Sequence, residues 1–69
     1  MLIEAIEIFT REVKLNPDDG MLYYLRSRAY TEDNKFALAY NDMIQAKKLG
    51  ITISDEKLND IRTKARIVR

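Results

Sequence analysis

Apolar residues recur at intervals of three and four along almost the whole chain, broken only near Pro17, at Thr31–Lys35 and around Gly50. That spacing places side chains on one face of a helix, whereas a half-buried strand needs strict alternation. The one alternating piece, Ile51-Thr52-Ile53, is three residues between two helix signals and reads as a linker. The pattern therefore predicts an all-α chain of four helices, paired as antiparallel hairpins.

The first helix is expected over 2–15, where Leu2, Ala5, Ile6, Phe9 and Val13 form a stripe and Ile3 and Ile8 fall to either side of it. It ends at Asn16-Pro17, because the proline ring disfavours α geometry for Asn16 and cannot continue the hydrogen-bond ladder. Asp18 or Asp19 can cap the second helix, over about 19–32, by accepting its free N–H groups. Three faces can be read on that helix: Tyr23, Ser27 and Tyr30; Leu22, Leu25 and Ala29; and Tyr24, Arg28 and Thr31. The short polar turn sends a third helix, about 35–48, back along it, with Phe36, Ala39, Met43 and Ala46 as its stripe. Lys47 and Lys48 suit the negative end of the helix dipole, and Gly50 suits a stop. A fourth helix, about 54–67, starts at Ser54 as cap and carries Leu58, Ile61, Ala65 and Val68 on one face.

Sixty-nine residues make one small domain whose core alone gives marginal stability. With no Cys and no His, neither disulfides nor the commonest metal ligands can staple it. Further stability must come from close helix packing or from a second chain. A net charge of +1 argues against a general nucleic-acid coat. The amino-terminal run lacks a basic n-region and is interrupted by Glu4 and Glu7, so it reads as a mature helix and not a signal peptide. No stretch approaches the roughly 20 apolar residues of a membrane span. The expectation is a cytoplasmic protein.

The first and third helices match in pattern, with Ala5 and Phe9 lying 34 residues before Ala39 and Met43. A 34-residue period of paired helices is the signature of tetratricopeptide repeats. The run Tyr23, Ser27, Tyr30, Ala39, Met43, Ala46 resembles that family's large–small–aromatic, then Ala–large–Ala, order. By this resemblance the chain is one domain over residues 1–69: the second helix of a half-repeat (1–17), a complete repeat (19–50) and a solvating helix (54–69). Beginning mid-repeat, it could be an excerpt of a longer array. The departures are Arg26-Ser27 where Leu-Gly is usual, Glu12 in place of a small residue, and Ile51 in place of the closing Pro. Glu12 suggests that the first helix is not packed as in a standard repeat. Physically, Ala39 and Ala46 leave room for Tyr23 and Tyr30, so these tyrosines are assigned to packing and not to a ligand pocket.

The resemblance implies a non-enzymatic interaction scaffold that binds a peptide or helix of a partner protein. The concave surface would be lined by Met21, Tyr24, Arg28 and Thr31, with Arg28 available to a carboxylate. The same residues also read as an ordinary exposed face. The Asn and Lys residues of the family's carboxylate clamp are missing there. No cofactor, metal or catalytic site is expected: no Ser or Thr has a His partner, and Asp18-Asp19 and Asp55-Glu56 sit where helix starts attract acids. Lys57, Arg62, Lys64, Arg66 and Arg69 raise a weaker nucleic-acid reading, without an aromatic platform to support it. The remaining alternative is self-assembly. Leu2, Ile3, Ile6, Ile8 and Phe9 leave the first helix rich in apolar surface, and a homodimer joined through it would supply the burial that one hairpin lacks. Charge permits an antiparallel or end-to-end pairing, since residues 1–20 hold five acids and two bases and residues 57–69 five bases and one acid.

Overall fold

The computed structural model describes residues 2–66, which form four α-helices and no strand. They are α1 (Leu2–Leu15), α2 (Gly20–Glu32), α3 (Phe36–Lys48) and α4 (Asp55–Lys64). Each helix packs chiefly on its neighbours in sequence, so the chain is a row of hairpins around a small core.

The helix ends follow from local chemistry. The Asp19 carboxylate accepts the Met21 N–H at 3.1 Å, and Ser54 Oγ accepts the Lys57 N–H at 3.1 Å. Of the two candidate caps for α2, Asp19 is thus the one used. At their C-termini α2 and α3 share one closure. Lys35 N–H reaches back to the Tyr30 carbonyl and Ile51 N–H to that of Ala46, around left-handed residues Asn34 (φ 60°) and Gly50 (φ 103°). This pairing satisfies carbonyls that the helix leaves open. The fourth helix ends earlier than its expected limit of 67: Ala65 caps it and Arg66 turns left-handed at φ 58°. Past Ile61, Arg62 and Ala65 are half-buried and Thr63, Lys64 and Arg66 exposed, so no large apolar side chain among the described residues there extends the core. Val68 and Arg69 lie outside the described residues.

The core comprises Ala39, Met43, Ala46, Ile53, Leu58 and Ile61, against which Tyr23, Tyr24 and Tyr30 pack half-buried. Ala39 and Ala46 are wholly buried, as the large-against-small reading requires. Ile53 is buried too, so the linker anchors α4 as well as joining it to α3. Gly20 opens α2 against that linker. A Cβ there would stand 2.9 Å from Ile51 Cγ1 and 3.2 Å from the Ala46 carbonyl oxygen.

One buried ion pair ties three helices together. Arg26 Nε and Nη2 donate to the two oxygens of Asp42 at 2.7 and 2.8 Å, and Nη1 donates to Thr10 Oγ1 at 3.3 Å. The rings of Tyr23 and Tyr30 flank the guanidinium, their centroids 5.8 and 5.6 Å from Cζ. The hydrogen bonds to Asp42 outweigh burial and hold the Arg26 pKa above its ordinary value.

Asp42→Ala is expected to destabilise by about 3 kcal/mol, because it strands a mostly buried guanidinium. Arg26→Met with Asp42→Leu should cost much less. Urea melts read both; equal losses for the single and double variants would mean that the pair has no role as a pair. Ala39→Leu should cost roughly 1–3 kcal/mol through overpacking. Gly20→Ala should also destabilise, by about 1 kcal/mol or more, although Ala is the better helix former. A raised melting temperature for Gly20→Ala would show that Ile51 yields freely.

Candidate functional site

The face of α2 that carries Arg28 and Thr31 looks across a groove to α4. Helical spacing sets this up: Arg28 and Glu32 lie one turn apart on one wall, while Lys57, Asp60 and Lys64 lie one turn apart on the other. Met43 of α3 and Ile61 of α4, both buried, form the floor. The cavity is about 280 Å³, just under the roughly 300–1,000 Å³ of small-molecule sites. That is room for one or two side chains of a polypeptide.

Of the four residues expected to line a concave surface, Arg28 and Thr31 border this groove. Tyr24 is half-buried against the core, with Lys57 Nζ 5.8 Å from its ring centroid. Met21 is exposed a turn earlier and is not part of the groove. The hydroxyl of Thr31 donates to the Ser27 carbonyl at 2.8 Å, and that of Ser27 donates to the Tyr24 carbonyl at 2.6 Å. Both are back-bonds within the helix, so neither proton is offered to a ligand.

The groove's charges differ in how far they are already matched. Lys64 is paired with Asp60 at 3.3 Å and stands 6.0 Å from the Phe36 ring centroid. Among the described residues, Arg28 and Glu32 take part in no ion pair with another side chain. Arg28 is therefore the exposed fork of donors best placed to receive an external carboxylate. The α4 wall was not anticipated as part of this surface. The signal for it lay in the i, i+3 and i+7 spacing of Lys57, Asp60 and Lys64, which repeats the spacing of Leu58, Ile61 and Ala65 one residue earlier.

The acidic pairs behave as helix starts. Asp19 caps α2, and Asp55 meets Lys47 at 3.2 Å on the surface. No group of three or more His, Cys, Asp or Glu among the described residues could hold a metal ion. No helix among them is long and apolar enough to cross a membrane.

The five residues expected to drive self-association differ in exposure. Leu2, Ile6 and Phe9 are half-buried, whereas Ile3 and Ile8 are exposed. The stripe residues are thus partly covered by the chain itself, while Ile3 and Ile8, which flank the stripe, and Leu15, outside the expected set, are the exposed large apolar residues of α1. No protein-family model, curated protein or solved structure matches the chain.

Proposed function

We propose that this chain is a tetratricopeptide-like, non-enzymatic interaction module, which takes a segment of a partner protein into the groove between α2 and α4. The observation that supports this most directly is the groove's makeup: an apolar floor of Met43 and Ile61 under the guanidinium of Arg28, which has no ion-pair partner among the described residues. Such a floor takes an aliphatic side chain, and Met43 adds a polarisable thioether that adapts to its shape. Arg28, with Lys57 opposite, favours an acidic residue beside that anchor. The ligand class is thus an extended peptide or helix with a carboxylate next to an apolar side chain.

Screening a library of such peptides by amide chemical shifts tests this. Shifts are expected at Thr31, Met43, Lys57 and Ile61. For a selected peptide, Arg28→Glu should weaken binding by about 1–3 kcal/mol, the worth of a charge-assisted contact plus the new repulsion. Tyr23→Phe should leave affinity intact, because the Tyr23 hydroxyl donates to the Pro17 carbonyl on another side of α2. Shifts confined to other surfaces, or affinity lost with Tyr23→Phe and kept with Arg28→Glu, would refute the assignment. A parallel titration with random RNA at low salt distinguishes the nucleic-acid reading, which predicts binding that falls steeply as salt rises.

A further inference from the structure

Away from the groove, the outer face of α1 carries a second signal. Ile3, Ile8 and Leu15 are 64, 49 and 75% exposed there, among exposed charges. Glu4, Ile8, Arg11 and Leu15 follow one another at steps of four, three and four, and Ile3, Glu7 and Lys14 run beside them at steps of four and seven, with Thr10 of that row half-buried and turned toward Arg26. Steps of this kind form the seam along which one helix lies against another. Along the seam Glu4 and Glu7 lie in the first half of α1 and Arg11 and Lys14 in the second, while the exposed Glu12 stands at its edge one turn after Ile8. Among the described residues, none of Glu7, Arg11 and Lys14 has an ion-pair partner within the chain.

We propose that this seam is a self-association surface, on which a second copy of the chain lays its own α1 antiparallel about a two-fold axis. Reversal of direction is what makes the strip complementary to itself. Glu7 comes level with Arg11 of the other copy, twice by symmetry, Glu4 comes level with Lys14, and Ile3 with Leu15. Ile8 falls close to the axis, beside its own mate. A parallel pair would set Glu7 against Glu7 and Arg11 against Arg11. The basic helix α4 is a poorer occupant of the seam: its large apolar residues Leu58 and Ile61 are buried, and Lys64 is already matched by Asp60. At about 1.5 Å per residue α1 is some 20 Å long, so the contact lies at the small end of stable interfaces.

Sedimentation equilibrium of the full chain from about 1 µM to 1 mM tests this. Dimer is expected at the upper end, with the melting temperature rising with concentration. Ile8→Glu should raise the dissociation constant at least about tenfold, since it puts a charge into an apolar contact. Arg11→Glu and Glu7→Arg should each weaken association severalfold, and the double variant Glu7→Arg/Arg11→Glu should restore it. These positions are exposed, so helicity of the dilute monomer should hold, and circular dichroism at 1 µM verifies it. Because the chain has no other Cys, Ile8→Cys should also oxidise to a disulfide-linked dimer. A monomer at 1 mM, a dimer indifferent to Ile8→Glu, or failure of the double swap to restore association would each overturn the proposal. So would tighter association of Arg11→Glu, which would place α1 against a basic surface such as α4.

Discussion

The bidentate pair between Arg26 and Asp42 is the constraint on which the arrangement of helices depends. Their side chains keep only 16 and 8% of their exposure, so each has given up most of its water. Such burial is compensated only when the geometry is near ideal and the leftover donors are satisfied. The geometry is bidentate, with Nε and Nη2 donating to the two carboxylate oxygens, and Nη1 donates to Thr10 Oγ1, so each guanidinium nitrogen has an acceptor. The consequence concerns register more than stability. Apolar contacts tolerate sliding by a fraction of a turn, but a planar fork does not. Arg26 is on α2, Asp42 on α3 and Thr10 on α1, so one guanidinium sets the relative position of three helices.

This also explains the company that Arg26 keeps. Tyr23 and Tyr30 lie three residues before it and four after it, on the same face of α2. Their rings exclude water from the pair while packing against the alanine-lined side of α3. The tyrosines thus serve two neighbours, the core and the ion pair. The Tyr23 hydroxyl lies at the rim, where it donates to the Pro17 carbonyl and fastens the turn between α1 and α2. An aromatic ring with one apolar and one wet end suits that position better than a leucine would.

Much of the fold was legible because periodicity and capping are local. Pro17, Ser54, Gly50 and the polar turn before Phe36 mark the helix limits, and the chemistry of each acts within four residues of itself. Less local features were harder to read. Asp42 lies three residues after Ala39 and four before Ala46, inside a buried stripe, and Arg26 lies inside the tyrosine stripe. Two opposite charges, each on an apolar face, are the available sign of a buried pair, but nothing local says that the two stripes meet. The groove was half legible for the same reason: Arg28 and Thr31 belong to one helix, whereas their opposite wall depends on how Ile53 anchors the linker into α4. The end of α4 was missed because no Gly or Pro marks it in the sequence: the left-handed residue there is Arg66.

The groove and the α1 seam then follow from how a short row of helices spends its apolar residues. In such a row the inner helices are covered on two sides and the outer ones on one. Helices α2 and α3 are the inner pair, and the helix-lining alanines and Ser27 are buried there. At one end, α4 contributes Leu58 and Ile61 to the core and leaves a charged wall facing α2. At the other end, α1 commits Val13 fully and Leu2, Ile6 and Phe9 in part, yet still exposes Ile3, Ile8 and Leu15. A helix needs one apolar stripe to join a domain, and α1 carries a stripe and a second, interrupted seam. The second seam does not serve the chain's own fold, since the Arg26 clamp already holds α1 through Thr10 on the inner side. Surplus apolar surface flanked by charge favours the proposed contact between copies, and such a contact would leave the α2–α4 groove open at the far side of the row.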